Sequence, residues 1–554
     1  MEKNSAVGRL WKLLVLEKQE ISSIYFYAIL IGLVQLSIPI GVQAIIGFVM
    51  GASMVTSIYV LIIIVVIGVL MVGVMQINQM KIIEKIQQNI FARYAFEFTE
   101  TIPRLDLQKV DNYYLPEKVN RFFDTITVQK GMSKILLDIP TATIQILFGL
   151  ILLSLYHPVF IVFGILLVFI LWVILKISSK DGLATSMQES NYKYDVVAWL
   201  QEMARVIKSF KFSQGTQFNL QKMDANVLGY VKARTAHFKI LVFQYQSLVA
   251  FKVTITSAML IVGAYLLIHQ QLNIGEFIAA EIVILTVIVA VEKLISNLDS
   301  VYDVITGLEK LASVTESSLE QDGKLDFTGN YLNTNIQLID FSFTYPDGKK
   351  ALQNINLDIP ANSTVCVSGV EGSGKTTLLK LLGSNYLDFT GSFMLNNIPI
   401  RSYNLQAIRS HTGMYLNLQD LFKGSLLENI SMGRKYISTE KILETAEHLG
   451  MKNFLTSLPF GLETHIDPLG RKLASTMIKK ILLLRVFANE PFLLILEEPW
   501  LSLEEPIKTN MQTYLLGKHR NATVIIATND LSFAKQCDYH IMLENGLATI
   551  LKYN

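Results

Sequence analysis

The chain has 554 residues, of which 51% are hydrophobic and 17% are charged, and its mean hydropathy is +0.39. Soluble proteins carry about 25% charged residues, so this composition excludes a wholly soluble protein and an intrinsically disordered one. The 48 Lys and Arg residues nearly balance the 46 Asp and Glu residues, and the formal net charge of +2 excludes a general attraction to nucleic acid.

Apolar stretches in the first half of the chain are long enough to cross a bilayer, which takes about 20 residues in a helix. Six spans are predicted, at 24–50, 55–77, 134–155, 158–177, 240–268 and 275–296. The links at 51–54, 156–157 and 269–274 contain no Lys or Arg, whereas the amino-terminal segment and the link at 78–133 contain many. Because Lys and Arg favour the cytoplasmic side, we expect an integral protein of the plasma (inner) membrane with both termini in the cytoplasm.

The two long links, 78–133 and 178–239, mix apolar and charged residues at helical spacing and contain few Gly or Pro residues. This pattern predicts helices that continue from the membrane into the cytoplasm, where their tips are expected to contact something intracellular. A loop of that length without secondary structure would be unusual.

The predicted spans contain charged residues, and Glu281, Lys252 and Glu292 are the candidates among them for a specific role. Glu281 lies about 9 Å inside the last span, too deep for a short carboxylate to reach water easily. It is predicted to line a translocation path or to bind a basic group, and the alternative is a carboxylate that only faces an aqueous cavity. Lys252 and Glu292 are predicted to form a structural pair on the inner side of the membrane.

The chain becomes polar after about residue 315, which divides it into a transmembrane domain at 1–318, a linker at 319–334 and a soluble domain at 335–554. In the soluble part, apolar runs such as STVCVSG, FLLILEEP and TVIIAT alternate with helical patterns. Such alternation predicts an α/β domain with a mainly parallel sheet.

The segment GVEGSGKT at 369–376 matches the phosphate-loop pattern GxxxxGK[ST]. The apolar run TVCVS precedes it and TLLKLL follows it, so the loop is predicted to join a buried strand to the start of a helix. Lys375 is expected to reach the β and γ phosphates of ATP, and the Thr376 hydroxyl to bind Mg²⁺. The residues predicted to contact the nucleotide are Gly369, Val370, Glu371, Gly372, Ser373, Gly374, Lys375, Thr376 and Thr377. The alternative is an incidental glycine-rich turn.

Two carboxylates, Glu497 and Glu498, end the strand-like run FLLILEEP and are therefore expected at the carboxyl edge of the sheet, where nucleotides bind. Glu497 is predicted to hold Mg²⁺, and Glu498 to orient or deprotonate the attacking water. The alternative is a solvated acidic turn.

The chain has six predicted spans, long cytoplasmic helices and then a phosphate-loop domain. In this order of elements it resembles, over essentially its whole length, the half-transporters of the ATP-binding cassette (ABC) exporter family. The segment FSFTYPDGKKALQNINLDIP resembles the start of the family's ATPase domain, which implies that Tyr345 stacks on adenine unless it is only a core tyrosine. The segments LFKGSLLENI and LPFGLETHIDPLG resemble later segments of the family's ATPase domain. They fix the alignment of the remaining motifs to this sequence.

In that register the chain departs from the family at several positions. Asn417 occupies the glutamine-loop position, although Gln419 lies close by, and Asn529 occupies the position of the switch histidine. Glu497 replaces the aspartate of the family's magnesium-binding strand, and Glu498 retains the catalytic glutamate. The resemblance therefore implies catalytic roles for Glu498, Asn529 and Asn417.

The family's signature LSGGQ falls on LASTM at 473–477, and its D-loop SALD falls on LSLE at 501–504. In the family, the signature binds the γ-phosphate held by the opposite subunit, so Ala474, Ser475 and Thr476 are implied nucleotide contacts. Ala474 lacks a hydroxyl, and Ser475 and Thr476 place side chains where close backbone approach is needed. A weakened contact is expected.

The resemblance implies an ABC transport ATPase that exports a substrate by alternating access, as a homodimer or with a different half-transporter. ATP and Mg²⁺ are the implied cofactors, and turnover is expected to be reduced. The alternative is a catalytically weak half that binds ATP as a clamp and regulates a heterodimer. A signalling ATPase that is merely anchored to the membrane would not need six spans.

The stretch QLSIPIGVQAIIGFV is similar to the toxin and peptide secretion branch, but lipid, drug, peptide and protein cargoes all remain open.

Overall fold

The computed structural model describes residues 5–51, 55–110, 114–213, 217–326, 334–416, 420–517 and 521–551. They form two compact units. The first comprises Met1–Arg104 and Tyr114–Ser317, and the second comprises Leu105–Tyr113 and Ser318–Asn554.

The first part of the chain is helical throughout its described residues. The helices are α1 (Ala6–Leu16), α2 (Lys18–Gln35), α3 (Ser37–Met50), α4 (Val55–Thr101), α5 (Leu107–Val110), α6 (Leu115–Val119), α7 (Asp124–Tyr156), α8 (Val159–Arg205), α9 (Ile207–Phe212), α10 (Phe218–Ile268), α11 (Ile274–Ser296) and α12 (Leu298–Thr315). Short 3₁₀ turns follow α4 and α6.

Within the described residues, five segments are long and apolar enough to cross a membrane. They are Lys18–Met50, Thr56–Arg104, Leu115–Tyr156, Phe218–Ile268 and Ile274–Thr315. The fourth predicted span falls in α8, which begins with the shorter apolar stretch Val159–Ile174. These helices form the predicted helical membrane domain.

The long links are helical, as predicted, because α4 and α8 each run for 47 residues and α10 for 51. At about 1.5 Å per residue, α10 is roughly 75 Å long, more than twice the hydrocarbon thickness of a bilayer. The link at 78–133 is not one helix, since α4 ends at Thr101 and Pro103 follows in a 3₁₀ turn. Proline disfavours helical geometry in the residue before it.

Close helix packing in the membrane unit depends on small residues. A Cβ atom at Gly149 of α7 would lie 2.6 Å from Val287 Cγ2 of α11, and one at Gly131 would lie 2.3 Å from Val304 Cγ2 of α12. Helix α11 begins where Asn273 caps it, since the Asn273 side chain accepts a hydrogen bond of 2.8 Å from the Glu276 N–H.

The charged residues in the spans differ in their surroundings. Lys252 Nζ lies 2.6 Å from Glu292 Oε2, which confirms the predicted pair. Glu281 is half-exposed on α11, and among the described residues it has no hydrogen bond or ion pair.

The second unit contains strands and helices in alternation. They are β1 (Ile336–Thr344), β2 (Lys350–Ile359), β3 (Thr364–Ser368), α13 (Lys375–Leu382), β4 (Thr390–Leu395), β5 (Ile398–Pro399), α14 (Leu405–Ser410), β6 (Thr412–Tyr415), β7 (Gly424–Ser425), α15 (Leu426–Ser431), α16 (Thr439–His448), α17 (Lys452–Thr456), β8 (His465–Ile466), α18 (Ser475–Phe487), β9 (Leu493–Glu497), α19 (Glu505–Leu516), β10 (Thr523–Ala527), α20 (Leu531–Ala534), β11 (Tyr539–Glu544) and β12 (Leu547–Leu551).

The main sheet has six strands in the order β12-β11-β3-β10-β9-β6, in which neighbours from β11 to β6 are parallel and β12 is antiparallel at the edge. Every residue of β3 and β10 is buried, which explains their continuous apolar sequences. A second, antiparallel sheet has the order β2-β1-β4-β5 and was not predicted. The predicted α/β domain with a mainly parallel sheet is confirmed.

Two segments outside the predicted soluble domain belong to this unit. Gly323 N–H donates to Tyr403 O at 2.9 Å and Leu325 N–H to Ser402 O at 3.0 Å, so residues up to 326 of the predicted linker lie on the α/β fold. Residues 327–333 lie outside the described ranges. In the segment around α5, Asp106 N–H donates to Ser318 O at 3.0 Å.

Candidate functional site

The phosphate loop connects β3 to α13, in the predicted arrangement of strand, loop and helix. Gly369 and Gly374 have φ angles of +153° and +105°, which side chains rarely tolerate. A Cβ atom would lie 2.3 Å from Leu543 O at Gly369 and 2.7 Å from Ala351 O at Gly374. Both positions therefore require glycine.

The Lys375 side chain folds over this loop. Its Nζ donates hydrogen bonds to Gly369 O at 2.6 Å and to Val370 O at 2.9 Å. Ser373 Oγ is buried and has no hydrogen-bond partner among the described residues. The loop thus brings together a lysine ammonium, an unpaired hydroxyl and the N-terminus of α13. Groups of these kinds bind phosphate oxygens, so the loop fits a nucleotide.

Thr376 and Glu497 meet at the end of β9, since the Thr376 hydroxyl donates to Glu497 Oε1. Hydroxyl and carboxylate oxygens are ligands that Mg²⁺ prefers, and the extra methylene of glutamate does not prevent the contact. The buried Tyr415 lies near this pair, and burial together with the Glu497 charge raises the pKa of its hydroxyl to about 12. Tyr415 is therefore neutral at physiological pH.

The Glu498 carboxylate is held between two donors that follow β10. Its Oε2 accepts from Thr528 Oγ1 at 3.0 Å, and its Oε1 accepts from Asn529 N–H at 3.3 Å. Its backbone has a φ of +43°, unusual for a residue with a side chain, and its N–H donates to Ala527 O at 2.9 Å. This arrangement fixes a half-buried carboxylate beside the phosphate loop, because β3, β9 and β10 are adjacent and parallel.

Asn529, at the switch position, contacts the phosphate loop directly. Its Oδ1 accepts a hydrogen bond of 3.1 Å from the Gly369 N–H. An amide can bond to a phosphate or to this loop, but it cannot exchange a proton near neutral pH. The structure thus brings Asn529 and Glu498 to the same edge as the predicted nucleotide contacts.

Tyr345 lies next to the start of α13. Its hydroxyl is 2.9 Å from Thr377 Oγ1, and its ring packs edge-on against Phe343 and Tyr386 with centroid distances of 5.0 and 6.1 Å. The ring is half-buried. It is near the loop, and its stacking on adenine stays a prediction.

The segment at the signature position starts α18 without a side-chain cap. Ala474 is the N-cap residue, and no side chain accepts from the N–H groups of the first turn. Ala474 and Ser475 are exposed and Thr476 is half-buried. Among the described residues, no hydrogen bond joins 473–477 to the phosphate loop, so this segment is free for another partner.

Two lysines of α18 that were not predicted contact the segment that follows β9. Lys479 Nζ donates to Glu498 O at 3.0 Å and to Leu501 O at 2.8 Å, and burial lowers its pKa. Lys480 Nζ lies 2.7 Å from Glu504 Oε1, and this hydrogen bond lowers the pKa of Glu504. Lysines in the second turn of an apolar helix carry no sequence signal for such contacts.

The glutamine-loop position, Asn417, and the nearby Gln419 lie outside the described residues. The side chains of Val370 and Glu371 are exposed at the tip of the phosphate loop, where a nucleotide would pass.

Comparison with known proteins gives three kinds of match. Residues 352–501 match the ABC transporter family. The chain is 29% identical over 332 residues to the alpha-hemolysin translocation ATP-binding protein HlyB of Escherichia coli, covering 58% of this chain and 46% of that protein. It is 27% identical over 358 residues to the leukotoxin translocation ATP-binding protein LktB of Mannheimia glucosida, covering 64% and 50%. The chain thus spans about half the length of these curated relatives.

The fold is similar to that of a bacterial Atm1-family ABC exporter solved with ATP bound, with a TM-score of 0.82 and 15% sequence identity. The match covers 96% of this chain and 94% of that chain. The chain therefore has the fold of an ABC exporter half-transporter, with an ABC transporter ATPase domain at its carboxyl end.

Proposed function

We propose that the chain binds Mg-ATP at this site and uses its hydrolysis to export a substrate across the plasma membrane by alternating access. The observation that carries the proposal is the convergence, at one sheet edge, of Lys375, the Thr376–Glu497 contact and the Glu498 carboxylate. An anion-binding loop, a pair of metal-binding oxygens and a fixed carboxylate together suit phosphoryl transfer to water.

ATP binding would replace contacts that the free loop makes with itself. Lys375 would turn from the Gly369 and Val370 carbonyls toward the β and γ phosphates, and the Ser373 hydroxyl would gain an acceptor. Thr376 and Glu497 are the residues that would hold Mg²⁺, which when bound neutralises phosphate charge.

Glu498 is the proposed base. Thr528 Oγ1 and the Asn529 N–H hold its carboxylate, so it can orient a water and accept its proton without first changing rotamer. Lys479 holds the backbone of the same residue. Asn529 can supply a hydrogen bond to the γ-phosphate only by leaving the Gly369 N–H.

A second half-transporter is part of the proposal. The uncapped start of α18 at Ala474 offers free N–H groups, and it is not bonded to the chain's own phosphate loop among the described residues. A complete site would combine this phosphate loop with the corresponding segment of another chain, either a copy or a different half-transporter.

The membrane domain would carry the cargo, with both termini in the cytoplasm. Glu281 supports a polar path, because a carboxylate without a partner in a membrane span is costly unless it faces water or an opposite charge. The names of the HlyB and LktB relatives, which translocate toxins, make polypeptides the first class of cargo to test.

A second candidate function is a regulatory half that clamps ATP with little turnover. It is favoured by the missing hydroxyl at Ala474 and by the engagement of Asn529 with the phosphate loop. The retained Glu498 opposes it.

The two functions can be separated with the full chain purified into lipid nanodiscs and into sealed vesicles. Subunit composition shows whether a copy or another chain is present, and uptake of a labelled polypeptide by inverted vesicles measures transport. ATP-dependent uptake that Glu498→Gln abolishes supports the exporter. Tight ATP binding by this chain in a heterodimer whose ATP-dependent uptake persists after Glu498→Gln supports the clamp.

A further inference from the structure

The side chain of Lys479 ends against the backbone of the loop that follows β9. Lys479 lies in the second turn of α18, and its Nζ donates hydrogen bonds to Glu498 O at 3.0 Å and to Leu501 O at 2.8 Å. The same Nζ lies 5.7 Å from the centroid of the Tyr415 ring, at the end of β6. One ammonium group thus joins two carbonyls of a single loop.

These two carbonyls stand at the ends of a tight turn. The Leu501 N–H donates to Glu498 O at 3.3 Å, so residues 498–501 form a turn, and Lys479 bonds to the carbonyl at each end of it. The backbone of Glu498 has a φ of +43°, which is disfavoured for a residue with a side chain. Such a conformation persists only where the surrounding structure holds it.

The side chain and the backbone of Glu498 are held by different elements. Its carboxylate accepts from Thr528 Oγ1 and from the Asn529 N–H, and its own N–H donates to Ala527 O at 2.9 Å, so β10 and the residues after it hold these groups. The Glu498 carbonyl is bound instead by Lys479 of α18. The contact with α18 therefore completes the support of this residue.

The charge of Lys479 strengthens this contact. Hydrogen bonds from an ionised donor are roughly twice as strong as those between neutral groups. Burial lowers the pKa of the Lys479 ammonium and the negative charge of Glu498 raises it, so the two charges attract each other. A lysine reaches solvent easily, as the 85% exposed side chain of Lys472 does. Lys479 stays inside because two carbonyls and the face of Tyr415 replace the water that its ammonium loses.

We propose that Lys479 is a positioning residue, which holds the turn at 498–501 and thereby directs the Glu498 carboxylate toward the attacking water. The inference rests on the proposed function, because it takes Glu498 as the base. Misplacing a reacting group by about 1 Å can lower a rate about 10²-fold, so loss of this contact should slow hydrolysis. Among the described residues, no hydrogen bond joins Lys479 to the phosphate loop, so ATP affinity should not change.

The first test compares ATP turnover and ATP binding in the full chain in lipid nanodiscs. Lys479→Met removes the donors and the charge, whereas Lys479→Arg keeps both. Lys441→Met is the matched control, because Lys441 is also half-buried and its Nζ lies 2.7 Å from Glu490 Oε2, outside the nucleotide site. Lys479→Met should lower kcat at least tenfold and leave the Kd for a fluorescent ATP analogue within twofold of the parent value. The kcat of Lys479→Arg and of Lys441→Met should stay within threefold of the parent.

The second test measures hydrogen exchange of the peptide that contains residues 498–501, by mass spectrometry, and does not depend on turnover. This peptide should exchange at least tenfold faster in Lys479→Met and within threefold of the parent in Lys479→Arg and Lys441→Met, because only the first variant loses the bonds to the turn.

Unchanged exchange in Lys479→Met would overturn the inference. A kcat within threefold of a parent whose turnover depends on Glu498 would overturn it too, and so would a fall in kcat matched by an equal loss of ATP affinity, which indicates general damage. A parent without Glu498-dependent turnover would contradict the proposed function alone, and the exchange measurement would then decide whether Lys479 holds the turn.

Discussion

Replacement of Lys375 by Ala tests the nucleotide site, because the hydrogen bonds of this side chain in the free protein are known. In the free protein Nζ donates to two neutral carbonyls, at 2.6 and 2.9 Å. With ATP bound it would instead face phosphate oxygens. The ammonium is charged in both states, so the gain on binding comes from the negative charge of the phosphates, and a hydrogen bond to a charged group contributes about 1.5–3 kcal/mol.

Loss of one such contact to phosphate costs about 1.5–3 kcal/mol, so Lys375→Ala should raise the Kd for Mg-ATP roughly 10- to 150-fold. The assay is titration of a fluorescent ATP analogue into the nanodisc-embedded protein. Lys472→Ala is the control, because this side chain is 85% exposed and pairs with Asp467 at the surface. A Kd for Lys375→Ala within twofold of the parent value would refute the assignment of the loop.

Three further outcomes follow from the contacts around the site and from the topology. Thr528→Val removes the 3.0 Å hydrogen bond to Glu498 and should lower ATP turnover roughly 10- to 150-fold without changing ATP affinity, which single-turnover kinetics and binding assays can separate. Burial lowers the pKa of His540 below its ordinary 6.5, so the unfolded chain binds a proton first and stability should fall as pH drops below 6.5. His540→Gln should reduce this dependence of stability on pH, measured by thermal unfolding at several pH values. An unchanged dependence would contradict the lowered pKa of His540. Cysteine at Asn273, in a background without native cysteines, should react with impermeant reagents in intact cells, and cysteine at Asn120 should not.

The parts of the site that the sequence predicts are those encoded locally. The loop at 369–376 places glycines, a lysine and a threonine within one strand-loop-helix unit, so their positions follow once the strand and helix are recognised. The position of Glu497 is predictable for the same reason, because it ends a buried strand and the end of that strand lies at the carboxyl edge of the sheet.

Other contacts depend on tertiary packing and have no local signal. Lys479 reaches Glu498 only because α18 packs beside the end of β9, and the bond between Asn529 and Gly369 requires β10 to lie next to β3. The antiparallel sheet was also missed, since the bulged strand β1 pairs with both β2 and β4 and lacks a regular period of two.

The central claim, that the cassette hydrolyses ATP through Glu498 although its signature and switch positions depart from the family, is tested most directly by one comparison of turnover rates. Steady-state ATP hydrolysis is measured in nanodiscs for the parent homodimer, for Glu498→Gln, and for a variant with LSGGQ at 473–477 and Asn529→His. Loss of one preorganised contact costs about 10²- to 10³-fold in rate. We predict that Glu498→Gln abolishes turnover and that the restored variant is at least tenfold faster than the parent. Turnover unaffected by Glu498→Gln, together with a restored variant no faster than the parent, would contradict the claim and leave the cassette as a nucleotide clamp.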